Sequence, residues 1–474
     1  MRRRLLIPVS LCAVVGVGLS RAQLAPGAPP APPSLDDLWA GTAHFSPVAS
    51  FDVGSPGFAD VDAGTRVVVV NGTWFLFGRA DAPATPACPS GMISINVRAS
   101  ADKGRSWGPP SALAAPDGVG MCIFADGSAF FDAPAGTWHY LAQSLPAGAA
   151  ARWALSHFSL VGASPLGAWT PDPRNPVVTG GQLFDQICAG AGKHCELGMV
   201  DEGTPEIVEK VGGDFIVTFH GYDYGRKRSA RGVARTPDFA TWAVTGGAGA
   251  PLPGDVIFSA ADCATWSVPW AAPGGCIGSG EASVLRAAPS GFLYEVIEVA
   301  DKELGCETVW DSQWWPLGLV RSAGWAPSTQ WEQMRETPFV GGPAGGEPHV
   351  GCSIQYNSLH VDDDDGTTFF AFWHVSFHPA NASLPAAGWH LYELAWGAAP
   401  LPMQWPGPAQ RPPAPVDCST KASCESTCPG FVECAADGFF YCCADAVHCA
   451  QTHDCAGNAG LHFCSCGPGA RGGG

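Results

Sequence analysis

Residues 67–77 read VVVVNGTWFLF, which is a β-branched run, an Asn-Gly pair and an aromatic run. This pattern predicts a β-hairpin, because glycine readily adopts the positive φ that a tight strand reversal needs. The pattern recurs as SAFFDAPAGTWHYL (128–141), PEIVEKVGGDFIVTF (205–219), ASVLRAAPSGFLYEVI (282–297) and NSLHVDDDDGTTFFAF (357–372). The successive turn glycines are 64, 77, 78 and 75 residues apart: Gly72, Gly136, Gly213, Gly291 and Gly366. One structural unit is therefore repeated five times.

Each hairpin is followed by a further strand-like run and a turn that ends in tryptophan, as in INVRASADKGRSW (95–107) and HLYELAWGAAPLPMQW (390–405). Units of three or four antiparallel strands at this spacing are typical of propeller blades. We therefore predict an all-β fold, a five-bladed β-propeller followed by a small disulfide-rich C-terminal module. A β-sandwich is the alternative, but sandwiches do not repeat a whole meander in this way.

The ends of the chain predict export and a modular organisation. Three arginines precede a short apolar run, and Ser20 and Ala22 have the spacing of a signal-peptidase site. We expect a secreted protein without a membrane span. The predicted segments are a signal peptide (1–22), a disordered Pro/Ala-rich segment (23–44), the propeller (45–405), a Pro-rich linker (406–417), the disulfide-rich module (418–466) and a disordered tail (467–474). Residues 399–417 read as a closing strand that runs into this linker.

Cysteines and sequons fit the same compartment. Of 19 cysteines, Cys12 lies in the predicted signal, eight fall between Cys88 and Cys352, and ten between Cys418 and Cys466. Even counts in both regions predict that each closes its own disulfides. The last region lacks the histidine spacing of a zinc finger, so we predict disulfides there and not a metal. Asn71 and Asn381 begin sequons and are predicted glycosylation sites.

Charge and composition exclude one class of partner. The formal net charge is −18, and removal of the four arginines in residues 1–22 lowers it to about −22. This charge argues against binding to a phosphate backbone, which needs a basic surface. It is compatible with a neutral or cationic ligand, and nothing in the sequence indicates an oligomeric state.

Residues 100–107, Ser-Ala-Asp-Lys-Gly-Arg-Ser-Trp, match the Asp-box pattern S-x-D-x-G-x-x-W in every defined position. The aspartate of such a turn caps backbone amides, and the tryptophan packs between sheets. This segment resembles the Asp-boxes of sialidases and other propellers, where they lie away from the active site. The sequence shows no Arg-Ile-Pro motif and no clear arginine triad, so sialidase activity is the least favoured of the functional hypotheses.

Acidic residues stand just before the inner strand of each predicted blade. Inner strands line the central funnel of a propeller, so these side chains should converge on one pocket. The candidates are Asp62, Asp126, Glu202, Glu281 and, for the fifth blade, Glu347 with His349. Carboxyl groups in an apolar funnel can be driven to different pKa values, as glycoside hydrolysis requires.

Three of these segments resemble glycoside hydrolase family 43 and relatives, the five-bladed arabinanase- and xylosidase-type propellers. Phe124–Asp132 is similar to their I-D-P-S-x-F-x-D segment, and Asp201–Ile207 to their E-G-P-E-I segment with one residue inserted. Gly278–Val284 resembles their G-x-G-H-x-S-V segment, with Glu281 in place of the histidine. The turn at 231–242 also looks like theirs.

The resemblance implies catalytic roles. Asp62 would be the general base, with Asp60 as the competing choice. Glu202 would be the general acid, with Glu206 as the alternative. Asp126 would tune the pKa of this acid and orient it. The predicted substrate-binding residues are Glu281, Tyr222, Trp315 and His349, and Trp310, Trp314 and Tyr224 are further aromatic candidates for stacking on sugar rings, with blade packing as the alternative.

No cofactor is indicated. The run Asp362–Asp365 has two interpretations, a solvated turn or a structural calcium site, of which the solvated turn is favoured because the spacing of a known calcium loop is missing. We therefore predict a secreted glycoside hydrolase-like protein that cleaves a poly- or oligosaccharide by carboxylate acid–base chemistry. The alternative is a non-catalytic propeller that binds carbohydrate or protein.

Overall fold

The structure is a computed structural model that describes residues 31–52, 66–89, 91–147, 152–189, 202–223, 228–244, 256–259, 276–301, 317–325, 331–334, 354–374, 388–397, 432–436 and 439–443. Strands dominate these residues, which confirms the expected β character. The helical segments in them are α1 (Leu35–Trp39), a 3₁₀ turn (Pro116–Val119) and α2 (Gln182–Ala189). No helix in these ranges is long and apolar enough to cross a membrane.

The chain first forms β1 (Ala43–Asp52) and then successive antiparallel sheets, which we name I to V. Sheet I contains β2 (Arg66–Val70), β3 (Thr73–Ala82), β4 (Met92–Ser100) and β5 (Ser111–Ala112). Sheet II contains β6 (Met121–Asp132), β7 (Thr137–Pro146), β8 (Ala154–Val161) and β9 (Thr170–Pro171). A single parallel bridge between Ile93 and Ile123 joins sheets I and II.

Sheet III contains β10 (Gly203–Val211), β11 (Asp214–Asp223), β12 (Arg228–Thr236) and β13 (Val256–Ser259). Sheet IV contains β14 (Cys276–Arg286), β15 (Leu293–Asp301), β16 (Leu317–Ser322) and β17 (Glu332–Gln333). Sheet V contains β18 (Ile354–Val361), β19 (Thr368–His374), β20 (Gly388–Trp396) and β1. A separate hairpin, β21 (Val432–Ala436) and β22 (Phe439–Cys443), lies in the cysteine-rich region.

All five predicted hairpins are present, as the first two strands of each sheet. In the first, Val70 pairs with Thr73, and the turn residues Asn71 and Gly72 have φ of 51° and 69°. These are the left-handed values that Asn-Gly favours in a two-residue turn. The first strands β2, β6, β10, β14 and β18 contact one another in a closed cycle and so surround a common axis.

The N-terminal strand completes the last sheet. β1 pairs with β20 from Ala43 opposite Trp396 to Asp52 opposite Gly388. The preceding helix α1 is capped by Ser34, and its Leu35 and Leu38 are buried beside Tyr294. This differs from the disordered segment expected over 23–44, because these apolar side chains find a place in the core. The expected closing strand at 399–405 and the linker at 406–417 lie outside the described residues.

The core lies between neighbouring sheets and is largely aromatic. Between sheets I and II, Phe77 stacks on Tyr140 at 5.4 Å, and Trp138 is fully buried against Phe75. Replacing one such ring by alanine costs about 3–5 kcal/mol. A described disulfide, Cys88–Cys122, ties the loop after β3 to the start of β6. The predicted disulfides of the other cysteines are not tested, because the side chains of those cysteines lie outside the described part of the structure.

The residues of the Asp-box pattern form a compact turn after β4. Ser106 donates to the Asp102 carboxylate from its backbone N–H (2.8 Å) and its hydroxyl (2.6 Å), and the Gly104 N–H donates to Ser100 Oγ at 2.9 Å. Trp107 packs edge-on against Trp389 of sheet V. The turn therefore contributes to the packing between the first and last sheets.

The aspartate run after β18 joins sheet V to sheet I. Asp363 accepts hydrogen bonds from the backbone N–H groups of Asn71 (2.6 Å) and Gly72 (2.7 Å), while the buried Asp362 accepts one from Trp74 Nε1 at 2.7 Å. Lys103 pairs with Asp365 at 2.6 Å. Asp363, Asp364 and Asp365 are exposed, as in the expected solvated turn, whereas the buried Asp362 contributes to a contact between two hairpin tips. Within the described ranges no group of His, Cys, Asp or Glu side chains is arranged to hold a metal ion.

Candidate active site

Four of the inner strands carry a β-bulge at the same place. The pairing register shifts between Phe124 and Gly127 in β6, and at equivalent points in β10, β14 and β18. In each strand two residues oppose one residue of the neighbouring strand, and the second of the two is Asp126, Pro205, Glu281 or Asn357. Bulges re-aim side chains and are frequent beside active sites. Three sheets thus offer a polar side chain at one level of the axis.

Arg66, at the start of β2, connects two of the sheets around this axis. Its Nη2 lies 2.7 Å from Glu281 Oε1 and donates to the Ala282 carbonyl, while its Nη1 lies 3.4 Å from Glu206 Oε1. All three charged side chains are buried. A buried carboxyl group of this kind depends on its partner, because an unpaired charge in the interior is costly.

Glu281 is the central carboxyl of the arrangement. Burial raises its pKa well above the ordinary value, Glu298 and Asp126 add to the rise, and Arg66 opposes it. Its Oε2 atom is buried and accepts no hydrogen bond from any residue that the structure describes. A buried carboxyl that retains its proton and has one oxygen unoccupied is suited to proton donation.

Glu298 of β15 links the bulges of sheets IV and V. It accepts the backbone N–H of Glu281 at 2.8 Å and that of Tyr356 at 3.1 Å. Burial raises its pKa to about 7, although the two amide bonds oppose the rise. Glu298 therefore fixes the relative position of the two bulges.

Asp126 lies beside a cation on sheet I. Arg79 Nε is 3.8 Å from Asp126 Oδ1, and Arg79 Nη2 donates to the Tyr356 hydroxyl at 3.1 Å. The guanidinium also lies over the Tyr356 ring, 4.9 Å from its centroid. Arg79 therefore links Asp126 of sheet II to Tyr356 of sheet V.

Glu202 is bound by the start of α2. Its Oε1 accepts the backbone N–H of Leu183 at 2.7 Å and that of Phe184 at 3.4 Å, and its Oε2 accepts the N–H of Gly181. The N–H groups at the start of a helix have no partner within it and attract a negative charge. Glu202 therefore anchors α2, whose Phe184 packs on Phe219 of sheet III.

Glu206, the alternative acid, lies in the seam between sheets III and IV. Its carboxylate accepts the Val284 N–H at 3.0 Å and the Ser283 hydroxyl at 3.3 Å, in addition to pairing with Arg66. Side chains of Ser128, Ser283 and Ser358 accept a backbone N–H of the adjacent inner strand in a similar way. Glu206 thus helps to join neighbouring sheets.

The other predicted site residues are outside the described part of the chain or away from the axis. Asp60, Asp62, Trp310, Trp314, Trp315, Glu347, His349 and Asn381 lie outside the described residues, as does the side chain of Tyr222. Asn71 is exposed at the tip of the first hairpin.

The sequence pointed to Asp126 and Glu281 but not to Arg66, Glu298 or Asn357. Asn357 could have been found, since it precedes a small residue, as Asp126 and Glu281 do, and stands nine residues before its turn glycine where they stand ten before theirs. Arg66 and Glu298 carry no comparable signal, because their position near the axis follows from packing.

Glu295, deeper in sheet IV, yields a testable pH dependence. Neither of its oxygens accepts a hydrogen bond from the described residues, and Arg231 Nε is 3.8 Å away. Burial raises the pKa of Glu295 from 4.5 to about 8, with Arg231 opposing. Between these values the unfolded chain releases a proton that the folded chain keeps, so stability falls as the pH rises.

We expect Glu295→Gln to remove this loss. The free energy of unfolding of the variant, relative to the unmutated protein, should increase between pH 5 and pH 9 by up to ~4 kcal/mol. Urea unfolding at pH 5, 7 and 9 measures it. A difference that is constant with pH would show that Glu295 is ionised throughout.

Comparisons with known proteins find likeness in structure alone. No protein-family model matches the chain. No curated protein sequence matches it either.

The solved structures similar to this chain include an endo-arabinase from Bacteroides thetaiotaomicron, with 13% identity, a TM-score of 0.43 and coverage of 75% of this chain and 98% of the other. The catalytic domain of a family 62 α-L-arabinofuranosidase from Coprinopsis cinerea has 12% identity, a TM-score of 0.42 and coverage of 76% and 99%. A family 117 glycoside hydrolase from Zobellia galactanivorans has 12% identity, a TM-score of 0.45 and coverage of 78% and 96%. Because these TM-scores lie below 0.5, inference about this chain rests on its own residues.

Proposed function

We propose that this protein is a glycoside hydrolase that cleaves a poly- or oligosaccharide by carboxylate acid–base chemistry. The observation that carries the proposal is the pairing of Asp126 and Glu281. They occupy the same bulge position in sheets II and IV, they are buried, and they interact electrostatically. Glycoside hydrolysis needs two carboxyl groups of which one is protonated and the other ionised.

In this assignment Glu281 is the general acid and Asp126 the general base. Glu281 Oε2 has no other hydrogen bond to make, so its proton is available to the leaving oxygen. Asp126 takes the role of base because it occupies the equivalent bulge position in sheet II, where Arg79 Nε lies 3.8 Å from its Oδ1. Asp62 remains the rival base implied by the resemblance to family 43.

The proposed fold is a five-bladed β-propeller of the family 43 type. Its support is the closed cycle of inner strands, from which four-stranded sheets extend, and the completion of sheet V by the N-terminal strand. In a propeller each sheet contributes one inner strand to the axis. This accounts for the convergence of bulge residues that are far apart in sequence.

We further propose that the protein is secreted, with cleavage of the signal peptide after residue 22. The disulfide Cys88–Cys122 supports an oxidising compartment, and the exposed Asn71 is suited to carry a glycan.

A second candidate is a propeller that binds carbohydrate without cleaving it. The observation that favours it is the position of Glu202, the residue that corresponds to the family's acid. Three backbone N–H groups hold its carboxylate, and such a carboxylate is stabilised in the ionised form that cannot donate a proton.

The two candidates differ in one experiment. The unmutated protein and an Asp126→Asn/Glu281→Gln double variant are incubated with aryl glycosides and with plant and algal polysaccharides, and released sugars are quantified. Hydrolysis by the unmutated protein and none by the double variant supports the enzyme. Binding without hydrolysis by either supports the second candidate, and equal hydrolysis by both would reject the assigned carboxyl pair.

A further inference from the structure

Asn357 has an unsatisfied side chain in the protein interior. It is fully buried, and neither its Oδ1 nor its Nδ2 has a hydrogen-bond partner among the described residues. Burial of an amide without partners is strongly unfavourable, and native proteins avoid it in nearly all cases. A group outside the chain, either a ligand or water, must therefore complete these bonds.

Asn357 is close to a second unsatisfied group. The backbone N–H of its neighbour Tyr356 and that of Glu281 bind the two oxygens of the same carboxylate, Glu298. Glu281 Oε2 also has no hydrogen-bond partner among the residues described. The bulges of sheets IV and V are thus joined through one carboxylate, and each carries a buried polar side chain with an unsatisfied atom.

A third unsatisfied group comes from sheet II. The Tyr140 hydroxyl is buried without a hydrogen-bond partner in the described structure and lies directly over Gly127, where a Cβ atom would approach it to 2.9 Å. Burial raises the pKa of Tyr140 well above its ordinary value, and the charges of Asp126 and Glu281 add to the rise while Arg66 opposes it. The phenol therefore remains a hydrogen-bond donor.

We infer that the Asn357 amide, the Tyr140 hydroxyl and Glu281 Oε2 form a subsite that binds a neutral sugar residue through two neighbouring hydroxyl groups. An amide offers an acceptor and donors side by side, and this matches a vicinal diol, in which each hydroxyl both donates and accepts. The neighbouring cations Arg66 and Arg79 are paired with Glu281 and Tyr356, so a sugar carboxylate or sulfate would compete with existing partners. The inference rests on the proposed function, because it names what that site recognises.

The test measures binding separately from hydrolysis. The unmutated protein and the variants Asn357→Leu and Tyr140→Phe are titrated with D-xylose, L-arabinose, D-galactose and D-fructose by calorimetry, and their unfolding temperatures are recorded. We expect at least one sugar to bind, and Asn357→Leu to weaken it by about tenfold or more. Tyr140→Phe should weaken it several-fold. Neither variant should unfold at a lower temperature, since the replaced groups have no protein partner to lose.

Glu209→Gln is the matched control, because Glu209 pairs with Arg286 and Trp325 away from the axis. It should bind the sugar as the unmutated protein does. Unchanged binding by Asn357→Leu and Tyr140→Phe, or no binding of any of the four sugars by the unmutated protein, would overturn the inference. If the variants lose binding while no protein hydrolyses any glycan, the subsite stands and the hydrolase proposal fails. If both variants hydrolyse a glycan with the same KM as the unmutated protein, the hydrolase proposal stands and the subsite fails.

Discussion

Glu281→Gln is expected to lower kcat on a cleaved glycoside by about 10²–10⁴-fold, the usual contribution of a general acid. Glutamine keeps the size of the side chain and resembles its protonated form, which is the form that burial favours. The bond from Arg66 to Oε1 can also persist, because an amide oxygen accepts it. The unfolding temperature should therefore stay close to that of the unmutated protein, so that the loss of rate reports on chemistry. Steady-state kinetics and thermal unfolding measure the two quantities.

Glu202→Gln is the matched comparison. The amide keeps a single acceptor oxygen, and its NH₂ group faces N–H donors of α2 that the carboxylate now satisfies. We expect a loss of stability of about 1–3 kcal/mol from the unsatisfied donors. The rate should fall less than in Glu281→Gln. The opposite pattern, a collapse of kcat in Glu202→Gln with unchanged stability and near-normal activity of Glu281→Gln, would return the acid role to Glu202.

Arg66→Met is expected to destabilise the protein by about 3–5 kcal/mol at neutral pH, because it leaves buried carboxyl groups without their cation. Arg66 contacts both Glu206 and Glu281 and donates to the Ala282 carbonyl, so three acceptors on sheets III and IV lose one partner. Free energies of unfolding from urea titration measure the loss.

The loss should depend on pH in a defined direction. Burial already raises the folded-state pKa of Glu206 and Glu281, and Arg66 opposes the rise in both. Without Arg66 these pKa values rise further above those of the unfolded chain. Above about pH 4.5 both proteins keep these protons and lose stability equally, until the pH passes the folded-state pKa values of the unmutated protein. Beyond that point only the variant still holds the protons, so it loses stability more steeply. The difference between the two should be smallest near pH 4.5 and should grow towards neutrality.

Arg286→Met is the control for this prediction. Arg286 pairs with Glu209 at 2.6 Å at a more exposed position, where an ion pair contributes about 0–1 kcal/mol. An equal loss in Arg66→Met and Arg286→Met, or a loss in Arg66→Met that does not change with pH, would show that the axial ion pairs carry little of the stability.

The candidate site was partly readable from the sequence. Asp126 and Glu281 could be singled out because both stand ten residues before a turn glycine, although they lie within β6 and β14 and not ahead of these strands. The hydrogen bonds of Glu202 could not be foreseen, since they depend on α2, which presents its first N–H groups to that carboxylate. A sequence motif identifies a carboxyl group, but the groups that donate hydrogen bonds to it come from another part of the chain.

The aspartate run is a second case in which the sequence identifies the carboxyl groups but not their partners. Four adjacent carboxylates at a hairpin tip favoured a solvated turn, because local sequence offers them no partner. Their partners are the Asn71 and Gly72 amides, the Trp74 indole and Lys103, all on sheet I. These contacts exist because the last sheet packs against the first, across nearly 300 residues of chain.

The sequence by itself determined the five hairpins that begin with VVVVNGTWFLF, because strand propensity and turn chemistry act over a few neighbouring residues. It also determined that polar residues would stand at the entry of the inner strands. Only the tertiary structure decided that β1 completes sheet V, that Arg66 holds Glu281, and that Asn357 is left without a partner. Those outcomes depend on which sheets pack side by side and on the burial that follows, and no local pattern encodes either.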